Sequence, residues 1–110
     1  MLQLRKKVIR LDSFWSRFAG LMLRAGLPKD VAVLIAPCKA VHTWFMRFPI
    51  AVIYLDKESH IVWFGVLTPW RIGPYIKQAA AVLETSDTGI CERLAVGEQL
   101  HFGTYSTNAT

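Results

Sequence analysis

The residue types best suited to chemistry interrupt apolar stretches of the chain, namely His42, Arg47 and Glu84. Because histidine titrates near neutrality, His42 could be an acid, a base or a ligand, although a half-buried histidine bonded to the backbone is the simpler interpretation. Arg47 could bind a carboxylate or phosphate through two parallel hydrogen bonds, or form an internal ion pair with Glu84 or Asp56. Glu84 closes an apolar run, where a carboxylate is either desolvated, with a raised pKa, or paired with an arginine, and we expect the pairing.

A tryptophan in a constrained loop adds a possible stacking surface. Trp70 lies between Pro69 and Pro74, and its ring could stack on a ligand ring or sugar face, or instead anchor the loop over the end of the fold. Together with the aromatic and cationic groups of the central segment, it suggests a groove for a ligand. The residues predicted to line this groove are His42, Trp44, Met46, Arg47, Trp70 and Glu84.

The spacing within the central segment limits which of these groups can act together. A strand over residues 41–46 would point His42 and Thr43 to opposite faces, because successive strand residues alternate. A catalytic pair of His42 and Thr43 is therefore not expected. The same alternation separates His42 from Arg47, unless the break at Pro49 turns the arginine back.

Metal and nucleophile chemistry has weak support. The side chains that could bind zinc are scattered and none has metal-finger spacing: Cys38, His42, His60, Cys91 and His101. We therefore expect no metal and no cofactor. A nucleophilic pair of Cys38 and His42 lacks a third residue to orient the histidine. A disulfide between Cys38 and Cys91 is possible but not implied, and phosphate-binding loops, calcium loops and the common hydrolase motifs are absent.

The composition describes one apolar and mildly basic domain. Hydrophobic residues make up 53% of the 110 residues, charged residues 19%, and the net charge is +5. The excess is local, because six basic residues and only Asp12 as an acid occur among the first 24 residues. Such a segment could dock on nucleic acid or an acidic partner, but no aromatic residues alternate with the charges, so a solvated face is favoured.

Targeting signals are not evident in the sequence. No window of 18 apolar residues predicts a transmembrane helix, and no apolar stretch follows the first charges as in a secretory signal. We therefore expect a cytoplasmic protein with reduced thiols, and a monomer that binds neither a membrane nor nucleic acid.

The elements that must position these residues are mainly strands. Hydrophobic patterning predicts strands over residues 4–10, 31–36, 41–46, 50–55, 60–67, 79–84 and 98–105. Capping and periodicity predict one helix that begins at Asp12 or Ser13 and ends at Gly26, and a short one that ends near Leu94. Residues 1–105 are thus predicted to form one mostly β domain, a sandwich or partly closed barrel of six or seven strands with two short helices, followed by a frayed tail over 106–110.

Several segments carry a resemblance to a known family. Gly20 to Arg24 read Gly-Leu-Met-Leu-Arg, and His42 to Ile50 read His-Thr-Trp-Phe-Met-Arg-Phe-Pro-Ile. Tyr54-Leu55-Asp56, Pro69-Trp70-Arg71, Val82-Leu83-Glu84 and Val96-Gly97-Glu98 follow in order. Over residues 8–103 the chain resembles the domain-of-unknown-function family 192, which is bacterial and archaeal.

The resemblance implies a compact, mostly β fold with short helices, and it implies no reaction. Members of this type usually have Asp after Pro-Ile, where this chain has Ala51, and Gly-Asp where it has Gly97-Glu98. The missing carboxylate weakens a metal or acid–base site built at that position. Some relatives carry an export signal, which this chain is expected to lack.

Three functions are compatible with these observations. The favoured one is a non-enzymatic binding module that holds a small anionic or carbohydrate ligand, or a protein partner, in the predicted groove. An alternative is a small enzyme that uses His42 and Glu84 as acid and base, which requires the two within hydrogen-bond reach. The third is electrostatic docking of the basic first 24 residues to nucleic acid or an acidic partner.

Overall fold

The computed structural model describes residues 2–11, 28–43 and 47–106, and these contain eight strands and one 3₁₀ helix. The strands are β1 (Leu2–Gln3), β2 (Lys7–Leu11), β3 (Val31–Ile35), β4 (Ile50–Leu55), β5 (Ile61–Leu67), β6 (Ala81–Thr85), β7 (Leu100–His101) and β8 (Thr104–Ser106). The 3₁₀ helix spans Thr88–Arg93. The predicted mostly β class is confirmed.

Two sheets account for all of these strands. Six of them form one sheet in the order β5-β4-β6-β3-β2-β8, and β1 pairs in parallel with β7. In the large sheet β4 is antiparallel to β5 and β6, β6 is antiparallel to β3, and β2 lies parallel between β3 and β8. In the described part of the chain this sheet ends at β5 and β8 and does not close, so the partly closed barrel does not form.

Strand β4 is the centre of the packing. Each of its six residues is buried, with at most 1% of any residue exposed. Because side chains alternate along a strand, Ile53 packs on one face of the sheet while Val52 and Tyr54 pack on the other. The first face is covered by Ile90 and Leu94 of the helix region. Burying a side chain of this size contributes about 1.5–3 kcal/mol to stability. Because both faces are buried, the strand is a continuous apolar run, which is the pattern that predicted it.

The predicted first strand over residues 4–10 is divided between the two sheets. The backbone N–H of Leu4 donates to His101, whereas that of Lys7 donates to Asp30, so the chain crosses between sheets at Arg5 and Lys6. The Lys6 ammonium holds this crossing, since Nζ lies 2.9 Å from Asp87 Oδ2 and also donates to the carbonyl of Lys29. The prediction of one continuous strand was therefore wrong.

The central segment departs from the predicted strand over residues 41–46. Residues 41–43 form only one isolated antiparallel bridge, between His42 and Ile72. Residues 44–46, the helix predicted to end at Gly26, and residues 107–110 of the predicted tail lie outside the described residues. The second predicted helix is confirmed as the 3₁₀ helix, which Leu94 follows.

Gly65, in strand β5, allows the close approach of an aromatic ring. A Cβ atom at this position would lie 3.0 Å from Cη2 of Trp63. The same indole meets Tyr54 edge to face, with ring centroids 5.2 Å apart. The irregular step in the pairing of β4 with β5 lies elsewhere, between Tyr54 and Leu55. A glycine inside a strand can mark a bulge or a close approach, and Gly65 marks a close approach.

Candidate functional site

One buried threonine ties the central segment to the loop that contains Trp70. Thr43 is 0% exposed, and its Oγ1 donates to the carbonyl of Thr68 at 2.6 Å and accepts from the backbone N–H of Arg71 at 2.8 Å. Its own N–H donates to the carbonyl of Arg71 at 2.8 Å, and its carbonyl accepts from the N–H of Trp70 at 2.9 Å. Hydrogen bonds thus join two of the segments that carry the sequence resemblance, the one that begins at His42 and Pro69-Trp70-Arg71.

The second half of this loop is anchored on Tyr54. The Tyr54 hydroxyl donates to the carbonyl of Pro74 at 2.8 Å, and the N–H of Gly73 donates to the carbonyl of Val41 at 2.8 Å. Gly73 is buried, and a Cβ atom there would lie 2.5 Å from Tyr54 Oη. Burial raises the pKa of Tyr54 to about 12, so the phenol stays protonated and able to donate across the neutral range.

Replacing Gly73 with alanine is expected to lower the free energy of unfolding by about 1–3 kcal/mol, because the new methyl group must displace the Tyr54 hydroxyl from Pro74. Urea denaturation monitored by circular dichroism measures the loss. The control is Gly103→Ala, since nothing lies within 4 Å of a Cβ atom at that exposed glycine. A change of equal size in both variants would contradict the steric explanation.

The anchored loop displays large apolar side chains to solvent. The exposed fractions are 60% for Trp70, 67% for Ile72 and 70% for Tyr75. The bridge between His42 and Ile72 places these two residues directly opposite each other, so their side chains lie on the same side. His42 and Arg71 are also exposed. We call these five residues, His42, Trp70, Arg71, Ile72 and Tyr75, the loop surface.

The backbone of Trp70 has an unusual conformation. Its φ angle is +65°, in the left-handed region that bulky residues rarely adopt. Such a conformation costs about 1–3 kcal/mol and persists only where the surroundings hold it in place. Here the hydrogen bonds of Thr43 to residues 68, 70 and 71 supply that hold. Conformations of this kind concentrate at functional sites, which makes the loop surface the leading candidate.

Glu84 lies in a different environment, inside the large sheet. It sits on β6 between Val33 of β3 and Val52 of β4, and only 4% of the residue is exposed. Burial raises the pKa of its carboxyl to about 7. Within the described residues no ion pair includes Glu84 or Arg47, so the predicted pairing of these two was wrong. The other alternative, a desolvated carboxyl with a raised pKa, is the one that the structure supports.

The possible pairing of Arg47 with Asp56 is not formed either. Oδ1 of Asp56 instead accepts the backbone N–H groups of Glu58 and His60, both at 2.9 Å. Although partial desolvation opposes it, these bonds and the nearby His60 hold the pKa of Asp56 below its usual range. Asp56 therefore stabilises the turn between β4 and β5 through these hydrogen bonds.

The six residues predicted to line one groove have different positions. His42 and Trp70 come together at the loop surface, through Ile72 and Thr43. Arg47 is exposed just before β4, and Glu84 is buried among apolar side chains. Trp44 and Met46 lie outside the described residues. An acid–base pair of His42 and Glu84 would have to join an exposed residue to a buried one, which does not favour the enzyme alternative.

Sequence reasoning missed the two residues that organise the loop, Thr43 and Tyr54. Thr43 was weighed only as a catalytic hydroxyl and Tyr54 only as part of an apolar strand. The available signal for Thr43 was a single small polar residue between apolar neighbours, because a buried hydroxyl must find hydrogen-bond partners. For Tyr54 the signal was a phenol inside a strand with no other polar group, since a buried Tyr hydroxyl usually bonds to a partner.

Other types of site find no support in the described part of the chain. No three His, Cys, Asp or Glu side chains cluster there as metal ligands. Cys38 and Cys91 are both free, and burial is the main cause that raises the pKa of each thiol. None of the helices among these residues has the length and apolar character needed to cross a membrane.

Known proteins resemble this chain in sequence and in fold. The model of the DUF192 family, described as an uncharacterized ACR, matches residues 3–102. A UPF0127 protein of Pyrococcus furiosus is 35% identical over 91% of this chain and 90% of its own length, and a UPF0127 protein of Pyrococcus abyssi is 37% identical over 71% and 69%. A crystal structure of a protein of unknown function from Novosphingobium aromaticivorans has a similar fold, with a TM-score of 0.69 at 17% identity, over 86% of this chain and 72% of that chain. The family resemblance inferred from the sequence is confirmed.

Proposed function

We propose that this chain, which belongs to the DUF192 family, is a non-enzymatic binding module that holds a protein partner on its loop surface. The observation that carries the proposal is the left-handed, 60% exposed Trp70. A fold gains nothing by straining its backbone to present an indole to water, since the hydrophobic effect favours burial. Binding of a partner would recover that cost.

The chemistry of the loop surface suits a protein partner. Tryptophan, tyrosine and arginine are the residues that most often dominate the energetics of protein interfaces. Trp70, Arg71 and Tyr75 supply one of each within six positions, and Ile72 adds an apolar centre. Because Thr43 and Tyr54 already fix the backbone of the loop, little conformational entropy is lost on association.

A carbohydrate is the second candidate ligand, and the exposed indole is the observation that favours it. One face of an aromatic ring can stack on the apolar face of a sugar, while His42 and Arg71 could bond to its hydroxyl groups. The loop surface carries three large apolar side chains, which exceeds what a single sugar ring covers. The protein partner is therefore preferred.

Replacing Trp70 with glycine separates binding from folding. Glycine adopts positive φ without strain, so the free energy of unfolding is expected to change by less than about 1 kcal/mol, because strain relief offsets the lost contacts. Partner binding is expected to fall at least tenfold, as hot-spot truncations cost about 2 kcal/mol or more. Quantitative co-purification from cells that express the protein, with sugar titrations in parallel, measures the change.

The matched control is Val96→Gly, which removes a 65% exposed apolar side chain away from the loop surface. It is expected to leave co-purification unchanged. A Trp70→Gly variant that keeps its partners, or that unfolds, would contradict a binding role for this residue. Loss of sugar binding alone would identify the second candidate as the ligand.

A further inference from the structure

A cavity of about 300 Å³ lies between the N-terminal residues and the end of the 3₁₀ helix. It is lined by residues 2–6, Ile90 and Arg93. Its size falls at the lower end of the range for small-molecule sites. We propose that this cavity binds a small phosphate monoester, with the phosphate at Arg5, Lys6 and Arg93 and the organic group on Leu2, Leu4 and Ile90.

The charges of the cavity favour an anion. Arg5, Lys6 and Arg93 line it, and none of its lining residues is acidic. The carboxylate that contacts a lining residue, Asp87, is already engaged, since its Oδ2 lies 2.9 Å from Lys6 Nζ. That hydrogen bond, with the charges of Lys29 and Arg93, holds the pKa of Asp87 below its usual range. Three cationic side chains line the cavity, and Asp87 neutralises at most one of them.

Lys6 is held in place for a ligand rather than free in solvent. Only 9% of its side chain is exposed, and its ammonium donates to Asp87 and to the carbonyl of Lys29. An ammonium group has three N–H donors, so one remains after these two bonds. Because Lys6 lines the cavity, a phosphate oxygen there can accept that remaining donor without displacing the existing contacts.

The backbone adds two donors at the same place. Where the chain crosses between the sheets, the N–H groups of Leu4 and Lys7 are bonded to carbonyls. In the described part of the chain, the intervening N–H groups of Arg5 and Lys6 donate to no acceptor. A backbone N–H of this kind that faces the cavity is a further donor for a phosphate oxygen. Three cations match a dianion better than a carboxylate, which has one charge.

The opposite wall explains why the ligand carries an organic group. Leu4 is 5% exposed and Ile90 is 2% exposed, so both belong to the core and present a fixed apolar surface. Leu2 is partly buried against the same cluster. A compound with phosphate at one end and a small apolar group at the other would use both walls, whereas inorganic phosphate would use only one.

The test is a titration of the ¹⁵N-labelled full chain with phenyl phosphate, followed by NMR. Saturable shifts are expected at the amides of Arg5, Lys6 and Arg93. Arg5→Gln and Arg93→Gln, two exposed positions, are each expected to weaken binding at least fivefold. The matched control is Arg10→Gln, which removes the same charge from an exposed position on β2 in the same basic segment, and is expected to change binding less than twofold.

Two further ligands identify the source of the phosphate. Dimethyl phosphate, a monoanionic diester like the nucleic-acid backbone, and benzoate are each expected to bind at least tenfold more weakly than phenyl phosphate. Equal losses in Arg10→Gln and Arg93→Gln would overturn the proposal in favour of unspecific attraction. Diester binding as tight as monoester binding would overturn it in favour of nucleic-acid docking, and a linear response without saturation would show that the cavity is not a site.

Discussion

Replacing Thr43 with valine is expected to lower the free energy of unfolding by about 2–4 kcal/mol. Valine has nearly the same shape, so the apolar packing of this buried residue is kept. The hydroxyl is lost, and with it the acceptor for the Arg71 N–H at 2.8 Å and the donor to the Thr68 carbonyl at 2.6 Å. Each polar group left without a partner costs about 1–3 kcal/mol where water cannot replace the bond.

Thr43→Val is also expected to weaken partner binding at the loop surface. Without the hydroxyl, less holds Trp70 in its left-handed conformation, so partner binding is expected to weaken along with stability. Urea denaturation measures the stability, and hydrogen exchange of the Arg71 amide reports the lost bond directly. Exchange at that amide is expected to accelerate at least tenfold, as a loss of about 1.4 kcal/mol in local opening free energy requires.

Two variants serve as controls for Thr43→Val. Thr43→Ser retains the hydroxyl and is expected to retain the slow exchange of the Arg71 amide. Thr68→Val removes an exposed hydroxyl that accepts a 3.4 Å hydrogen bond from Arg71 Nε, and the change in the free energy of unfolding is expected to stay within about 0.5 kcal/mol. If Thr68→Val cost as much as Thr43→Val, the buried hydroxyl would not be the organising group.

The strands were predictable wherever one local pattern decided the structure. The apolar runs at β3 and β4 are short, rich in branched residues and apolar on both faces, which is typical of buried strands. The crossing at Arg5 and Lys6 was not predictable, because it depends on Asp87, which lies 81 residues further along the chain. A contact at that separation leaves no mark in a local pattern of hydrophobicity.

At the candidate site, too, local patterns were predictable and contacts between distant residues were not. Flanking prolines indicated that Trp70 lies in a rigid loop, and the structure places it there. The hydrogen bonds that hold its left-handed backbone come from Thr43, 27 positions earlier, and could not be read from the loop itself. The ion pair predicted for Glu84 failed for a related reason: the register of β3, β4 and β6 places Val33 and Val52 beside it, and spacing alone does not reveal cross-strand neighbours.

Ala51, where the family resemblance led us to expect Asp, also depends on its neighbours across the sheet. Ala51 is 0% exposed and lies between Val66 and Thr85 on the neighbouring strands. A carboxylate there would need a partner to offset its desolvation, and alanine removes that need. Ala51 therefore suits a packed strand in this chain.

Glu84 is expected to make the protein less stable as the pH rises from 4.5 to 7. Its carboxyl has an ordinary pKa of 4.5, and burial raises the pKa to about 7 in the folded protein. Between these values the folded state holds a proton that the unfolded state has released, so rising pH favours unfolding. The stabilisation is complete below pH 4.5 and lost by pH 7, a fall of about 3 kcal/mol over the whole range.

Glu84→Gln isolates this effect, because the amide is neutral at every pH and nearly isosteric. The variant is expected to match the wild type near pH 4 and to exceed it by about 3 kcal/mol at pH 8, less the cost of any amide hydrogen bond left unmade. Urea denaturation across the pH range measures both curves. Glu92→Gln, at an exposed carboxylate, is expected to follow the wild-type curve.

A second measurement tests the charge on Glu84 through its neighbour Cys38. Burial is the main cause that raises the pKa of the Cys38 thiol, and the charge of Glu84 adds to it. Glu84→Gln is therefore expected to lower that pKa and to speed the reaction of Cys38 with a thiol reagent at pH 8, since the thiolate is the reactive form. Cys91 is the internal control, because burial and Asp87, not Glu84, raise its pKa. Parallel stability curves for wild type and Glu84→Gln would mean that Glu84 ionises normally within the sheet. Unchanged reactivity of Cys38 would mean that the charge of Glu84 does not act on the thiol.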